Sequence, residues 1–387
     1  MPRIGYFSVD WNIAPDPTDK TKQNATAQAA NYWRMFVPGK ELVAQAGYEV
    51  VHSFNFEPAP DGHFRVMDPY GEWHDDCDIV VLQRWMDKDG AKATKRARAT
   101  GQIVIHDVDD NYWALPKTNM ARQFTDPSKY PDFNRDHYLA NLKAASAITV
   151  STPYLANQLS RCGPPVFLCR NYIDINCWTP RDPMAPGLVG WVGGLPWRGN
   201  DLGILRNGVA RFLSDNNLRF YHGGHIEPRR DDTLDRLRVA ISHPNIPTAA
   251  QQLGMDPRAV ETRPICDMAG VPNLWAPISV AVIPLEDTPF NRSKSWVKGL
   301  EACAMGLPFV ASKLPEYESL GVGRLVDQRK PNADQEWIDA LLDLLIPSNR
   351  VAESARNRAR AEELSIGRNW QVWDAVYREF VPAAVAA

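Results

Sequence analysis

Short apolar runs alternate with longer helical patterns along most of the 387-residue chain. This alternation is typical of strand–helix–strand units, which build parallel sheets covered by helices. The first group of predicted strands comprises Arg3–Ser8, Glu49–Ser53, Ile79–Leu82, Ile103–His106, Ala147–Val150 and Val166–Leu168. The second group comprises Leu188–Gly194, Leu218–Tyr221, Ala259–Arg263, Val280–Pro284, Phe309–Ser312 and Arg324–Val326. The pattern predicts an α/β protein with two doubly wound parallel-sheet domains that face each other across a cleft.

Helical patterns separate the strands, and composition suggests where the domains divide. The helices are predicted at Ala25–Gly47, Asp89–Thr100, Asp136–Ala145, Thr152–Leu159, Asp201–Ser214, Gln335–Leu344 and Val351–Leu364. The segment Trp178–Gly187 is rich in Pro and Gly, which is typical of a linker. A chain of 387 residues is too long to form a single hydrophobic core of ordinary size. We therefore predict an N-terminal domain over 1–182 and a C-terminal domain over 183–365. An amphipathic, aromatic segment at 366–387 is expected to complete the N-terminal domain.

Charge and cysteine content narrow the class of protein. With 43 basic and 46 acidic residues, the formal charge is −3, so no strong basic field would recruit nucleic acid. The six cysteines show no C-x-x-C pair and no Cys/His ligand spacing, so we interpret them as reduced core thiols. The chain has neither a signal-peptide pattern nor an apolar run near the ~20 residues of a membrane span. We therefore expect a cytoplasmic, soluble protein without a transmembrane segment.

The segment Pro284–Tyr317 carries the strongest indication of a ligand. It predicts a strand, a polar loop, an amphipathic helix, a Gly-Leu-Pro stop and a second strand. The loop and first helical turn carry Asn291, Ser293 and Lys294, and a helix N-terminus favours phosphate. At ~100° per residue, Lys294 and Glu301 are expected on one helical face. The segment thus predicts a nucleotide site, with diphosphate near Lys294 and ribose hydroxyls near Glu301.

Four stretches of the sequence are informative because of the order in which they occur. They are S-T-P-Y-L-A-N-Q-L from Ser151, C-R-N-Y-I-D-I-N-C-W from Cys169, V-G-W-V-G-G-L-P-W-R-G-N-D-L from Val189 and L-E-A-C-A-M-G-L-P-F-V-A-S from Leu300. In this order they resemble the motifs of retaining glycosyltransferases with the GT-B fold, in glycosyltransferase family four. The last stretch resembles E-A-M-A-x-G-x-P-V-V-A-S, the closing half of the family's E-x7-E element, and is the most specific.

The resemblance implies a fold, a reaction and a set of residues. It implies a UDP- or GDP-sugar donor on the C-terminal domain and transfer to an acceptor hydroxyl with retention of configuration. The residues given catalytic roles by the resemblance are His106, Lys294 and Arg198. Those given donor-binding roles are Glu301, Ser293, Asn291, Ser295, Gly193 and Gly194. It implies no cofactor and no metal, since the nucleotide-sugar is a substrate.

The sequence departs from the family pattern at two donor-binding positions. The first glutamate of E-x7-E falls at Ser293, and the arginine of V-G-R-L falls at Gly194. Arg198 matches the lysine of the following K-G, and we expect Asn291, Ser293 and Lys294 to take over part of the lost contacts. Two alternatives therefore stay open: a sugar-nucleotide epimerase of the same fold, or a non-catalytic nucleotide-sugar-binding protein.

Three aspartates and a histidine stand around the end of the predicted strand Ile103–His106. One interpretation takes Asp107 and Asp109 as a D-x-D motif that holds manganese or magnesium against a diphosphate. The other, which we favour from the resemblance, places His106 near the donor sugar. Asp107, Asp109 and Asp110 would then bind the acceptor, form hydrogen bonds between domains or cap turns.

Several of these residues also have simple structural explanations. Glu301 could pair with Lys298 on a solvated helix face, and Ser293 could be a helix N-cap. The H-G-G-H stretch at His222–His225 is better explained by a tight turn than by a metal site. For the acceptor, a protein or soluble glycan is slightly preferred over a lipid, since no basic amphipathic surface helix was evident.

Overall fold

The computed structural model describes residues 2–15, 23–225 and 247–381. The strands that precede the linker are β1 (Arg3–Phe7), β2 (Trp11–Pro15), β3 (Gln23–Ala27), β4 (Glu49–Ser53), β5 (Asn55–Pro58), β6 (Phe64–Met67), β7 (Trp73–His74), β8 (Ile79–Gln83), β9 (Ile103–Val108), β10 (Ala147–Val150) and β11 (Val166–Leu168). The strands that follow it are β12 (Leu188–Val192), β13 (Phe220–His225), β14 (Val260–Pro264), β15 (Ile278–Ile283), β16 (Phe309–Ser312) and β17 (Arg324–Val326).

Two six-stranded parallel sheets dominate the described chain. The first sheet has the order β11-β10-β9-β8-β1-β4, and the second has the order β14-β13-β12-β15-β16-β17. In each sheet, the strand order reverses beside the first strand of its half, β1 or β12. Ligands of doubly wound proteins bind in the crevice outside the carboxyl ends of the strands at this reversal. The predicted α/β architecture with two doubly wound sheets is therefore confirmed.

Helices connect the strands of both sheets. In the first half they are Ala29–Asn31, a π-helical turn Tyr32–Phe36, Val37–Ala46, Gly90–Ala99, Ala121–Thr125, Arg135–Ala144 and Pro153–Leu159. In the second half a 3-10 turn Asp201–Leu205 and a π-helical turn Arg206–Ala210 precede Arg211–Asp215. The further helices are Ala249–Leu253, Val271–Trp275, Pro289–Arg292, Val297–Ala304, Pro315–Leu320, Ala333–Leu345, Pro347–Glu363, Ile366–Asn369 and Gln371–Arg378. Single 3-10 turns lie at Ile175–Cys177, Leu195–Trp197, Pro257–Ala259 and Met268–Gly270.

Two small antiparallel sheets were not predicted from the sequence. Strands β2 and β3 pair with each other, and residues 16–22 between them lie outside the described part. Because β3 extends to Ala27, the predicted start of the helix Ala25–Gly47 is wrong. Strands β5, β6 and β7 form the other sheet. Strand β9 also continues two residues past the predicted end at His106, to Val108.

The last described helix returns to the first sheet. The Tyr377 hydroxyl lies 2.8 Å from the Tyr6 hydroxyl of β1. The Arg34 guanidinium lies 4.7 Å from the ring centre of Trp373. These contacts join the helix Gln371–Arg378 to the first half of the chain, and residues 382–387 lie outside the described part. The division at 182/183 falls between β11 and β12, and the domain boundaries remain a prediction.

One hydrophobic cluster runs through both sheets. It includes Tyr6 and Ile105 of the first sheet and Ile278 and Phe309 of the second, all at most 1% exposed. The six cysteines are free; three of them are buried, whereas Cys177 is exposed and so departs from the expected core position. Among the described residues, no helix combines the length and apolar character required to cross a membrane.

Candidate functional site

After β15 the chain forms two separate helices, Pro289–Arg292 and Val297–Ala304, where the sequence predicted one. The Thr288 hydroxyl oxygen accepts a hydrogen bond from the Asn291 backbone N–H (3.2 Å) and caps the short helix Pro289–Arg292. The Ser293 hydroxyl donates to the Phe290 carbonyl (2.6 Å) at the end of that helix. Lys294 therefore lies before the second helix, and the prediction that it shares a helical face with Glu301 is wrong. The N-cap explanation of Ser293 is wrong as well.

Lys294 reaches across to the first half of the chain. Its Nζ lies 3.1 and 3.3 Å from the two carboxylate oxygens of Asp110, in the loop after β9. The same Nζ lies 4.2 Å from the ring centre of Phe290. Burial lowers the pKa of Lys294 from its usual value, whereas the charge of Asp110 opposes this shift. Burial likewise raises the pKa of Asp110, against the effect of Lys294.

Gly193 and Gly194 lead the chain from β12 to the crevice of the second sheet. The Gly193 N–H donates to the Gly223 carbonyl (2.8 Å), and the Gly193 carbonyl lies 2.9 Å from His222 Nε2. A Cβ on Gly193 would lie 2.5 Å from the Trp191 ring, so this position has room only for glycine. Burial lowers the pKa of His222 to about 4. His222 is thus a neutral, buried residue that contacts the loop after β12. Because β13 continues to His225, the tight turn expected at His222–His225 is wrong.

Arg198 and Asp201 follow on the same segment. The Asp201 side chain is buried, and its Oδ1 accepts hydrogen bonds from the Glu286 N–H (3.0 Å) and the Asn291 amide (2.8 Å). Its Oδ2 has no partner within the described residues. Burial raises the pKa of Asp201 to about 6, and the charges of Arg198 and Lys294 oppose this rise. Asn291 therefore connects Asp201 to the loop after β15. The charges of Arg198 and Lys294 both favour the ionised form of the Asp201 carboxylate.

Glu301 lies on the second turn of the helix Val297–Ala304 and is 1% exposed. Its Oε2 accepts hydrogen bonds from Trp275 Nε1 (3.0 Å) and from Lys298 Nζ (2.8 Å). No described residue donates a hydrogen bond to its Oε1. The pairing with Lys298 that the sequence allowed is present, but it is buried and uses one oxygen only. The other oxygen is left to accept hydroxyl groups.

Ser293, Ser295 and Trp296 contact the first half of the chain. The Thr152 hydroxyl donates to the Ser293 carbonyl (3.0 Å), and the Asn171 amide donates to the Ser295 hydroxyl (2.8 Å). Trp296 Nε1 donates to the Asn171 carbonyl (2.8 Å). The sequence reasoning missed Thr152 and Asn171 as partners of this loop. The signal for them was their position in the two N-terminal stretches that carried the family resemblance.

The expected place of His106 beside the donor is wrong. Because β9 continues to Val108, His106 lies within the strand, between Leu82 of β8 and Ile148 of β10. Its side chain is fully buried and stacks on Trp85. Neither ring nitrogen has a hydrogen-bond partner in the described part of the chain, and burial lowers its pKa to about 3. His106 is a neutral core residue.

The three aspartates have different environments. Asp107 pairs with the buried Arg34 (2.7 Å) and accepts a hydrogen bond from the Thr149 hydroxyl (2.7 Å). Asp109 accepts a hydrogen bond from the Tyr112 hydroxyl (2.9 Å). The D-x-D interpretation does not suit this arrangement, since the Asp107 carboxylate is already committed inside the first sheet. Asp110 alone of the three meets a cation of the second half.

One surface helix bears on the expectation about the acceptor. The helix Gly90–Ala99, of sequence GAKATKRARA, exposes Lys92, Lys95 and Arg96 to solvent. Its buried face consists of Gly90, Thr94 and Ala97, and the helix has no large apolar side chain with which to enter a lipid surface. The preference for a protein or soluble glycan acceptor over a lipid therefore stays a prediction.

Potential metal ligands meet at one place in the described chain, Asp68, Glu72 and His74, within 4.8 Å of one another. Asp68 Oδ1 accepts hydrogen bonds from the backbone N–H groups of Tyr70 and Glu72. His74 Nε2 lies 3.2 Å from Asp68 Oδ2. Turn formation between β6 and β7 accounts for this cluster, which is separate from the loops around Lys294.

Together, the two doubly wound sheets and the crevice loops between them define the GT-B fold. The chain is similar in structure to sucrose-phosphate synthase from Thermosynechococcus elongatus, with a TM-score of 0.62 and 15% identity over 99% of this chain and 100% of that one. A glycosyltransferase from Rickettsia africae gives a TM-score of 0.59 and 10% identity, covering 99% of each chain. HepE of Anabaena, in complex with UDP and glucose, gives 0.56 and 14%, covering 97% of this chain and 99% of that one.

These similarities concern the fold, because the sequence identities are low. No protein-family model matches the sequence, and no curated protein sequence matches it. The resemblance to GT-B glycosyltransferases is confirmed as a resemblance of fold. Retention of configuration and the assignment to family four remain predictions.

Proposed function

We propose that this protein is a glycosyltransferase that moves a sugar from a UDP- or GDP-sugar to an acceptor hydroxyl, with retention of configuration. One observation carries the proposal: Arg198, Lys294 and Glu301 all stand on loops and a helix at the carboxyl ends of β12 and β15. This is the crevice in which doubly wound proteins bind nucleotides. The shared fold with HepE, whose structure contains UDP and glucose, supports the same ligand class.

The diphosphate would lie against Arg198 and Lys294. Both side chains follow neighbouring strands of the second sheet, β12 and β15, and the charges of both favour the ionised form of Asp201. The first turn of the helix Val297–Ala304 adds backbone N–H groups and a partial positive charge. When the sugar departs, negative charge builds up on the nucleotide, and these fixed cations stabilise it. Because the protein itself supplies the cations, the proposed reaction requires no metal.

The ribose hydroxyls would donate to Glu301. Trp275 and Lys298 hold one oxygen of Glu301 in place, and Oε1 remains to accept a hydroxyl. Glu301 follows Val297 by four residues, which is about 6 Å along a helix axis. That separation suits a nucleoside diphosphate whose phosphates lie at the start of the helix and whose ribose lies beside its second turn.

The proposed chemistry uses no dedicated protein base. His106 is buried in the first sheet, and Asp107 is paired with Arg34, so neither is assigned to the acceptor. The acceptor hydroxyl would attack from the face that the diphosphate leaves, and an oxygen of the departing phosphate would take its proton. We further propose that the reaction takes place in the cytoplasm.

A donor screen tests the proposal. We expect UDP- or GDP-sugars to raise the melting temperature and to release nucleotide slowly by hydrolysis. Glu301→Ala and Lys294→Ala should each lower donor turnover at least about tenfold, which corresponds to about 1.4 kcal/mol. Lys330→Ala, at a cation that is 54% exposed and pairs with Glu336, is the matched control.

Each alternative has its own outcome in the same screen. Full turnover by both site variants contradicts the assignment of the donor site. Conversion of a UDP-sugar without any acceptor identifies an epimerase. Binding without hydrolysis or transfer, across a broad acceptor panel, identifies a non-catalytic binding protein.

A further inference from the structure

Asp110 stands where two halves of the molecule present opposite charges. Both of its carboxylate oxygens lie within 3.3 Å of Lys294 Nζ. The Lys294 side chain is 12% exposed and that of Asp110 is 28% exposed, so water screens the pair only partly. The charge of Arg198 also stabilises the ionised form of Asp110. One carboxylate thus interacts with both cations that we assign to the diphosphate.

The neighbouring aspartates do not share this position. Asp107 is held by Arg34 and Thr149 inside the first sheet, and Asp109 is held by the Tyr112 hydroxyl. Asp110 has no hydrogen-bond donor other than Lys294 among the described residues. Its carboxylate can therefore leave Lys294 without breaking any other described hydrogen bond.

We propose that Asp110 competes with the donor diphosphate for Lys294, and so sets the affinity of the protein for its donor. This inference rests on the proposed function, because it takes Lys294 as a diphosphate ligand. An incoming diphosphate carries more negative charge than one carboxylate and displaces it from the cation. The Asp110 carboxylate and a diphosphate on the same cation repel each other, because both are negatively charged. Asp110 must therefore turn away once the diphosphate binds.

The competition has a measurable cost. Any fraction of molecules in which Asp110 holds Lys294 lowers the apparent donor affinity by that fraction. Removing the carboxylate charge should therefore strengthen the binding of anions at this position. A purely structural ion pair would give the opposite result, since its loss would leave a buried cation and loosen the site.

The test compares Asp110→Asn with a variant that breaks a different ion pair between the two halves. Arg170 and Glu316 form such a pair at 3.1 Å. Arg170 is not one of the two cations assigned to the diphosphate. Glu316→Gln is therefore the matched control. Calorimetric titrations of inorganic pyrophosphate and of UDP, at pH 7.5 and moderate salt, give the affinities of wild type and both variants.

We expect Asp110→Asn to bind pyrophosphate and UDP at least about fivefold more tightly, the scale of a partly screened ion pair. Glu316→Gln should stay within about twofold of wild type. In the Lys294→Ala background, the gain from Asp110→Asn should be smaller, because Arg198 is then the one remaining cation that Asp110 shares with the diphosphate.

Three results overturn the inference. Equal or weaker binding by Asp110→Asn contradicts the competition, and an equal gain by Glu316→Gln assigns the effect to general loosening between the halves. If neither ligand binds to wild type or to Asp110→Asn, the proposed function fails together with the inference. If pyrophosphate shows the expected gain while UDP binds no better than pyrophosphate, the competition stands and only the nucleotide assignment fails.

Discussion

Asp201 stabilises a loop of the candidate site, but its buried charge is unfavourable in the folded protein. Its Oδ1 fixes the loop after β15 through Glu286 and Asn291, while its Oδ2 lies buried without a described partner. A buried carboxylate favours its neutral form, and the pKa of Asp201 accordingly rises from 3.8 to about 6. Near neutral pH, the folded protein must therefore keep a charge where burial opposes it.

This cost predicts a pH-dependent stability. The pKa of Asp201 is higher in the folded than in the unfolded state, so its contribution to stability is full below pH 4 and is lost as pH rises through 6. Asp201→Asn keeps one acceptor oxygen and removes the titration. Between pH 5 and pH 8, urea unfolding should show the variant gaining about 1–2 kcal/mol relative to wild type. A difference that does not change with pH would contradict the raised pKa.

At the scale of elements, a helical glycine marks the closest approach of two segments. Gly208 lies in the π-helical turn Arg206–Ala210, and a Cβ there would lie 2.8 Å from the Asp334 carbonyl oxygen. Because the atom in the way is backbone, the helix Ala333–Leu345 would have to move to make room. The absence of a side chain at Gly208 thus allows this helix to pack closely on the π-helical turn Arg206–Ala210.

Gly208→Ala should destabilise the protein by about 1–3 kcal/mol, the usual cost of overpacking. Gly367→Ala is the matched control, since a Cβ at Gly367 meets nothing within 4 Å and the residue lies in the helix Ile366–Asn369. That control should be neutral or stabilising by up to about 1 kcal/mol. Thermal unfolding of both variants gives the comparison, and equal effects would contradict the packing explanation.

The sequence predicted those elements whose patterns are local. Strands Ala147–Val150 and Phe309–Ser312 have the predicted bounds, since each is a short apolar run that ends at a polar residue or beside one. The helix break before Val297 was missed because Thr288 caps a separate turn that looks continuous with the next helix in a helical pattern. His106 was misplaced for a related reason: the aspartates after it look like a loop, yet Asp107 is buried by Arg34 from a distant helix.

The candidate site was predictable only in part, for the same reason. Glu301 and Lys294 stand in one continuous segment, and the sequence singled them out directly. Asp110 could be noticed as a charged residue after a strand, but its partner is 184 positions away. Such pairing depends on how the two sheets face each other, which no local pattern encodes.

At the scale of the whole molecule, Glu316 is a buried acidic residue at a contact between the two halves. It pairs with Arg170, whose guanidinium lies 4.2 Å from the ring centre of Trp296. Burial raises the pKa of Glu316 to about 7, although Arg170 acts in the opposite direction. Separation of the halves would expose Glu316 and return its pKa toward the ordinary value of 4.5.

The closed arrangement therefore binds a proton more tightly than an open one, and acid should favour closure. Small-angle X-ray scattering should show the radius of gyration increasing as pH rises from 5 to 8. In Glu316→Gln, which cannot ionise, this increase should be smaller or absent. A variant that follows the wild-type curve would show that another group controls the separation.

The contact between Tyr6 and Tyr377 has a consequence for the order in which the two sheets are completed during translation. The two residues are 371 positions apart, yet their hydroxyls are 2.8 Å apart. All six strands of the second sheet, which end at Val326, leave the ribosome before Trp373 and Tyr377 do. The second sheet, although it is translated after the first, can thus be completed first. The first sheet is completed only when the helix Gln371–Arg378 has been translated and covers Tyr6 and Arg34.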